Sequence, residues 1–549
     1  MATISGNELV GETLKRIGVD TFFFIMGGPI NDALTASLKR GIRGIDVRHE
    51  QAAAMAAQAY ARVRNRPGVC LGASGPGAIN LTTGLANALI DCAPVVAFGG
   101  SSPLRDLGMG AFQEIDQVAI MKPVTKWADR IYEAKRVPEM IDLAFRRSIS
   151  GKPGPVYLDL PSDVLYAEVE ESEVKWPDLT KTLERSKPQG DPALIEQAVK
   201  LLERSSRPVV LSGSGVLWSD GVEPLRQWVE KTGMPIFTTP QGRGVLPEDH
   251  PHAFLNARST AVKEADLYLV VGTRLNYVFG HLQPPRMSGT AKVIRIDIDP
   301  AEISASPRVD VGIVGDAGTV MRQLLAAGAG RVDGGRFADW RGHLAQVESE
   351  KRAEAEKALS TGKTPIHPLR LCKEVRDFID RDAILVVDGQ EILNYGRQSI
   401  PTFNPRHRLN SGPFGTMGVG MPFGVGAKAA APDKQVVVLH GDGSFGLNCM
   451  ELDTAARHKL PVLVVISLNG GWTADPKKEK PGRDLGYTRF DLFAQSLGCH
   501  GEQVEKPEDI RPALERAKQA VRSGKPALVN VVTDFTARAV TVRFTKTTT

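Results

Sequence analysis

An α/β fold of three doubly wound parallel-sheet domains is predicted for this chain, and three observations predict it. At 549 residues the chain is too long for one hydrophobic core and corresponds to about three domains. Apolar runs that stop in glycine-rich turns alternate with helix-period segments along its length, which is the pattern of repeated βαβ units. Two charged stretches, 169–190 (VEESEVKWPDLTKTLERSKPQG) and about 330–365, the second a charged helix with a glycine-rich exit, interrupt the alternation and read as linkers. The expected domains are 1–170, 190–330 and 366–549.

Composition narrows the class. Hydrophobic residues at 42% and charged residues at 24% describe a soluble globular chain, not a disordered or fibrous one. A net charge of +5 is too dilute over this length to argue for nucleic acid, though it suits a phosphorylated small ligand. The five cysteines (Cys70, Cys92, Cys372, Cys449, Cys499) are scattered and form no CxxC. That argues against a disulfide framework or zinc site and for a reducing, cytoplasmic setting. The opening MATISGNELV has neither the basic nor the apolar region of a secretory leader, no run reaches the length of a membrane span, and Thr547 to Thr549 is no peroxisomal address.

In the first domain an amphipathic helix over 6–17 precedes a strand over 21–25, the turn Met26-Gly27-Gly28-Pro29 and a helix from about Ile30. A short strand over 45–47 runs through Arg48-His49-Glu50 into an Ala-rich helix over 51–62. Glu50 thus lies at a strand-to-helix junction, where the plainer reading is an acid that only stabilises the helix dipole. A strand over 68–73, the loop Ser74-Gly75-Pro76-Gly77 and a helix over 78–89 follow, then a strand over 95–98 and a loop carrying Phe112-Gln113-Glu114.

The middle domain places strands over 209–211 and 267–271 before Ser212-Gly213-Ser214-Gly215 and Gly272-Thr273-Arg274-Leu275-Asn276. A lone Gly-x-Gly is weak evidence for a dinucleotide, the acid that would follow it is not evident, and a helper domain without cofactor is the plainer reading.

In the third domain a strand over 383–387 ends in Asp388-Gly389-Gln390-Glu391, whose Gly389 and Gln390 N–H groups would face a diphosphate across the sheet crevice. Met417 stands among glycines in Phe414-Gly415-Thr416-Met417-Gly418-Val419-Gly420, where gap-filling is its commonest use. A strand over 435–440 then enters Gly441-Asp442-Gly443-Ser444, a turn that can present backbone N–H groups to phosphate and one carboxylate. After a helix over 450–458, a strand over 461–468 ends at Asn469-Gly470-Gly471. A right-handed βαβ unit brings both strand ends to one sheet edge, so a carboxylate and an amide, with a backbone carbonyl and diphosphate oxygens, would suit octahedral Mg²⁺.

Gly441-Asp442-Gly443 followed at this spacing by Asn469 resembles the thiamine-diphosphate motif shared by acetolactate synthases, benzaldehyde lyase, oxalyl-CoA decarboxylase and 2-hydroxyacyl-CoA lyases; those proteins usually show Asn-Asn where this chain has Asn469-Gly470. The resemblance implies the thiamine-diphosphate-binding fold, with Asp442, Asn469 and the Gly471 carbonyl on Mg²⁺ and with Gly443 and Ser444 on the diphosphate. It implies that the Glu50 carboxyl hydrogen-bonds the aminopyrimidine, that Ser74 and Asn80 line that side, that Gln113 meets the substrate, and that Met417 wedges beneath the cofactor. Gly28-Pro29 stands where benzaldehyde lyase carries Ala-His, so an aryl-lyase histidine is missing.

In the middle domain 239–244, 257–259, 274–276 and 284–286 resemble 2-hydroxyacyl-CoA lyases, which makes Arg243, Arg258, Arg274 and Arg286 candidates for the phosphates of CoA or ADP. Trp472 and Tyr487 either fill a core or size the acyl pocket. The tail TARAVTVRFTKTTT, with Arg538 and Arg543, is by default a frayed end and by resemblance a lid over CoA. The resemblance further implies a homo-oligomer, at least a dimer and by expectation a tetramer, whose sites combine Glu50 of one subunit with Asp442 of its partner. The expected reaction is cleavage of a 2-hydroxyacyl-CoA, such as 2-hydroxyisobutyryl-CoA, to formyl-CoA and a ketone or aldehyde. The alternatives are an oxalyl-CoA decarboxylase, a flavin-containing acetolactate synthase-like carboligase, and an inactive cofactor-binding scaffold.

Overall fold

The structure, a computed structural model, describes residues 2–306 and 308–539. The first sheet has six parallel strands in the order Arg43–Asp46, Thr21–Phe24, Gly68–Gly72, Val95–Ser101, Val156–Pro161, Trp127–Arg130. The middle sheet orders Ile236–Thr238, Pro208–Ser212, Leu267–Val271, Lys292–Asp297 and Val311–Val314, also in parallel. The third sheet runs Arg408–Leu409, Ile384–Asp388, Val436–Gly441, Leu463–Leu468, Ala527–Val532, His500–Val504. The inner strands are buried and rich in Val, Ile and Leu, as sheets covered on both faces require, while edge strands such as Arg43–Asp46 and Trp127–Arg130 are partly exposed.

Each sheet has one place where the chain leaves a strand in one direction and returns on its other side. These switch points lie between Thr21–Phe24 and Gly68–Gly72, between Pro208–Ser212 and Leu267–Val271, and between Ile384–Asp388 and Val436–Gly441. Two connections diverging from neighbouring strand ends leave a crevice there, so the topology alone nominates three ligand positions.

Helix Glu50–Arg64 packs directly on helix Gly420–Ala430, and the two share one hydrophobic cluster that includes Ala53, Met55, Ala56, Met421, Phe423 and Val425. Their approach is close enough that a Cβ on Gly426 would stand 2.1 Å from the Ala56 carbonyl oxygen. Alanines and glycines on both faces are what permit it. The buried Asp91 carboxylate accepts from Gln58 Nε2 (2.9 Å), Arg62 Nη1 (3.3 Å) and Gln241 Nε2 (2.7 Å), while Arg62 also donates to the Asn410 and Arg408 carbonyls. Asp91, Arg62 and Gln241 together therefore tie the three sheets' surroundings.

The charged helix expected in the linker at about 330–365 is Ala338–Leu359, and it packs on the middle domain. Trp340 and Leu344, one turn apart, bury against Phe254, Tyr268 and Val293, and Glu348 accepts the Asn256 and Ala257 N–H groups. Its charged composition hid a narrow apolar stripe. The expected helix over 78–89 breaks at Leu81 into Pro76–Asn80 and Thr82–Ile90.

Candidate active site

The first switch point gathers most of the first-domain candidates. Glu50 opens its helix and is buried, and its Oε2 accepts from Asn80 Nδ2 at 2.9 Å. Ser74 Oγ donates to Gln113 Oε1 at 2.6 Å, and the Ser74 N–H donates to the Gly28 carbonyl at 3.0 Å. Pro29 packs on Gly100, where an added Cβ would meet its Cδ at 2.4 Å. Gln113 has a left-handed backbone, φ +58°, a conformation that costs a non-glycine residue energy and is held here by its surroundings. Two residues not foreseen hold it. Glu114 gathers the N–H groups of Gly108, Gly110 and Ala111, the latter two at 2.9 Å. Gln117, almost wholly buried, accepts the Gly75 N–H (2.5 Å) and donates to the Gly100 carbonyl, the Tyr157 hydroxyl and Asp159. Its sequence signal was only a polar residue where a helix should show an apolar one.

At the third switch point Asp442 Oδ2 accepts the Gly471 N–H at 2.9 Å and Oδ1 accepts the Gly443 N–H at 2.9 Å; Asn469 Oδ1 lies 3.2 Å from the same Gly471 nitrogen. The predicted convergence of Asp442, Asn469 and Gly471 is therefore present. Of Gly471 it is the N–H that the Asp442 and Asn469 oxygens meet here. The Gly443 N–H is likewise taken by Asp442, and the Ser444 hydroxyl turns inward to the Gly441 carbonyl (3.0 Å) and His440 Nδ1 (3.1 Å), so a diphosphate role for Ser444 falls to its backbone. Burial pushes the Asp442 carboxyl up to about 6, and among the described residues no cationic side chain pairs with it. A buried carboxylate served only by backbone donors, next to an amide oxygen, fits a hard divalent cation such as Mg²⁺. No cluster of three His, Cys, Asp or Glu occurs among the described residues, so the remaining ligands would come from backbone and diphosphate oxygens.

Gly389 adopts φ +123°, and a Cβ there would stand 3.1 Å from the Gly441 nitrogen, so this crossing demands glycine. Its N–H is directed at the buried Asp388 carboxylate, together with those of Gly418, Val419 and Gly420, which leaves the expected diphosphate contact to Gln390. The Trp472 ring lies on Gly443, with its ring atoms 2.6 Å from where a Cβ would be, and Tyr487 stacks against Gly470. Both pack on the glycines of these two loops, and neither lines the cavity described next.

A cavity of about 1430 Å³ opens between the middle and third sheets. Gly389, Gln390 and Met417 form one end, and Arg258, Arg286, Arg397 and Arg538 also line it. Arg258 lies 5.2 Å from the Phe279 ring centroid; burial, then Arg286 and Arg397, lower its pKa to about 10. Arg397 has a buried Nε without a partner. Among the described residues none of these arginines is ion-paired. Arg243, by contrast, is locked to Glu248 (Nε to Oε1 2.6 Å) and to the Arg397 and Ile400 carbonyls. Arg274 is committed to Glu302 (3.2 Å), the Ile90 carbonyl (2.8 Å) and Cys92 Sγ (3.3 Å). Arg243 and Arg274 are thus engaged by contacts between domains, and Arg397, which the sequence did not single out, lines the large cavity beside Arg258 and Arg286. Arg543 lies outside the described residues.

The second switch point carries a smaller cavity of about 270 Å³, lined by Gly215, Gly272, Arg274 and Asp297 among others. Asp297 ends strand Lys292–Asp297 beside Leu267–Val271, an acid at this crevice that the sequence did not point to; burial pushes it up to about 6.

The buried Glu451 joins the two half-sites by accepting the Arg48 N–H (3.1 Å) and the Thr454 hydroxyl (2.7 Å), and burial raises it from 4.5 to about 7. A raised folded value means that its contribution to stability is whole below pH 4.5 and is lost as pH climbs through about 7. Glu451→Gln keeps an acceptor and carries no charge. Thermal melts of the ligand-free protein should show the variant gaining on the wild type between pH 5 and pH 8; parallel profiles would refute the assignment.

Family models match all three units: the thiamine pyrophosphate enzyme N-terminal TPP binding domain over 4–120, the central domain over 195–324, and the C-terminal TPP binding domain over 393–531. The chain is 35% identical to a probable acetolactate synthase of Mycobacterium bovis over 97% of this chain and 96% of that protein. It is 33% identical to a 2-hydroxyacyl-CoA lyase of Arabidopsis thaliana (97% and 96% covered) and 33% identical to the oxalyl-CoA decarboxylase of Escherichia coli (96% and 95% covered). With three matched domains and relatives aligned from end to end, the chain belongs to the thiamine pyrophosphate enzyme family.

Proposed function

We propose that the protein is a Mg²⁺-dependent carbon–carbon lyase that cleaves a 2-hydroxyacyl-CoA to formyl-CoA and a ketone or aldehyde. The observation that carries this reading is the large cavity whose unpaired Arg258, Arg286, Arg397 and Arg538 lead to Gly389, Gln390 and Met417. Guanidinium groups with no carboxylate of their own suit the phosphates of a CoA ester and would hold its acyl end toward the cofactor. ADP or part of CoA is the proposed occupant of the smaller cavity. A short branched acyl group such as 2-hydroxyisobutyryl, which yields acetone, is the proposed substrate.

Bound thiamine diphosphate supplies a carbon nucleophile and a sink for the electron pair released when the bond breaks. Asp442 and Asn469 would hold Mg²⁺, and Gln390 and Ser444 would offer N–H groups to the diphosphate. Met417 would lie under the cofactor. Glu50, steadied by Asn80, would hold a proton at the aminopyrimidine nitrogen, and Gln113, steadied by Ser74, would orient the reacting oxygen of the substrate.

Assembly as at least a homodimer, with a tetramer as the expected form, is supported by the rims of the two half-sites. Met109 (77% exposed) and Phe112 (86%) flank Gln113, while Phe414 (48%), Leu447 (52%) and Tyr487 (53%) flank Met417 and the metal loop. Apolar surface of that kind beside polar site residues fits burial against a second copy.

Incubation with thiamine diphosphate, Mg²⁺ and either 2-hydroxyisobutyryl-CoA or oxalyl-CoA tests the reading by mass spectrometry. Formyl-CoA and acetone from the first substrate alone support it; formyl-CoA and CO₂ from the second alone would assign a decarboxylase. Arg258→Ala and Arg397→Ala should each raise KM for the acyl-CoA about tenfold with kcat within a factor of about three, as loss of a charge-assisted phosphate contact away from the reacting bond does. Unchanged KM in both would detach the cavity from CoA.

A further inference from the structure

The Glu391 carboxylate is buried, opens helix Glu391–Ser399 directly after Gly389-Gln390, and has no cationic partner among the described residues. Its two oxygens face two different segments. Oε1 accepts the Thr473 hydroxyl at 2.9 Å and the Ala474 N–H at 3.4 Å, in the loop that leaves Asn469. Oε2 accepts the Ala539 N–H at 2.8 Å, at the end of the described tail.

The tail stretch is laid against that loop as well. The Asp475 N–H donates to the Phe535 carbonyl at 3.2 Å, and the Phe535 ring lies between Lys478 (5.3 Å) and Arg483 (5.8 Å). Ala537 and Ala539 are buried (8% and 3% exposed), and Arg538 between them is exposed and lines the large cavity. Burial alternates over these three residues, so anchoring the Ala539 N–H constrains where the neighbouring Arg538 is held.

We propose that Glu391 is a positioning residue that couples the metal loop to the stretch presenting Arg538: one carboxylate holds Thr473–Ala474 on one oxygen and Ala539 on the other, so displacement of either segment loosens the other. The inference rests on the thiamine-diphosphate and acyl-CoA reading of the two cavity ends. It differs from a lid in needing only residues up to Ala539.

The chemistry makes the coupling testable. A carboxylate accepts on both oxygens, whereas a carboxamide accepts on one and donates on the other, so Glu391→Gln must deprive either the Ala474 or the Ala539 N–H of its acceptor, although the Thr473 hydroxyl can turn to accept, and Glu391→Ala releases both segments. Ala539→Pro removes the tail's N–H without touching the metal loop. Amide exchange by mass spectrometry on the full-length, ligand-free protein, together with the Kd for thiamine diphosphate and Mg²⁺ from tryptophan fluorescence, reads both sides. Glu391→Ala should accelerate exchange about tenfold in 473–475 and in 535–539 and weaken the Kd about tenfold. Ala539→Pro should accelerate 473–475 and weaken the Kd as well, and Glu391→Gln should accelerate exchange in both segments by less than Glu391→Ala does, more in the one whose N–H has lost its acceptor. Ala539→Pro acting on 535–539 alone with unchanged Kd would overturn the coupling. If Glu391→Ala does not fold, Glu391→Gln decides by the same comparison. A wild-type protein that binds neither thiamine diphosphate nor Mg²⁺ would sink the cofactor reading instead, and the exchange data would still decide the tie.

Discussion

Glu50→Gln is expected to lower kcat by about 10²- to 10⁴-fold while leaving the protein folded and able to bind its cofactor. The Asn80 amide donates to Glu50 Oε2, and a glutamine can accept that bond with its carbonyl oxygen, so the packing at the head of helix Glu50–Arg64 has no reason to change. What glutamine cannot do is hold and release a proton at the ring nitrogen of an aminopyrimidine. The loss should therefore fall on kcat, with the Kd for thiamine diphosphate within about a factor of ten and the melting temperature nearly unchanged. Pre-steady-state turnover and a cofactor titration on the same preparation check this. Retention of more than a tenth of the wild-type rate would remove Glu50 from the proton path and with it the central premise of the site.

How much of this was legible in the sequence depended on how local the signal was. Strand Leu267–Val271 was read with its observed limits because five apolar residues ending at a glycine admit few other structures. Asp442 and Asn469 were placed together because two parallel strands of one βαβ unit must end at the same edge, which is a topological fact rather than a contact. Arg397 was missed for the opposite reason. It lies on the helix after Glu391, with nothing in its neighbourhood to distinguish it, and becomes a candidate only when the middle sheet brings Arg258 and Arg286 beside it. The Glu248 carboxylate locked to Arg243 was equally illegible, because a sequence shows an arginine but not its partner. Asp297 likewise needed the neighbouring strand before its position at a crevice meant anything. The inward turn of the Ser444 hydroxyl was illegible because His440, buried beneath it, offers no pattern beyond one polar residue in an apolar strand.

Asp442→Asn should reverse the order of stability between ligand-free and ligand-bound protein. Without cofactor, the wild type at pH 8 holds an ionised carboxylate in a place where burial has pushed its pKa to about 6, above the ordinary 3.8. A raised folded value marks a group whose stability contribution is lost as pH rises through about 6, so at pH 8 the charge opposes folding. Asparagine keeps an oxygen for the Gly471 or Gly443 N–H and removes the charge, and the ligand-free variant should melt at or above the wild type. With Mg²⁺ and thiamine diphosphate the balance turns. The same carboxylate now has a divalent cation to meet, and the wild type gains about 2.7 kcal/mol when ligand stands at a hundred times its Kd. The variant, offering a neutral amide to a hard cation, should bind at least about a hundredfold more weakly and gain little. Melting curves of both proteins at pH 8, with and without the two ligands, give the four values needed. A variant that is destabilised in the ligand-free state and still shifts upward with Mg²⁺ and thiamine diphosphate would mean that Asp442 is a structural acid, and that the cation is held elsewhere than between the ends of strands Val436–Gly441 and Leu463–Leu468.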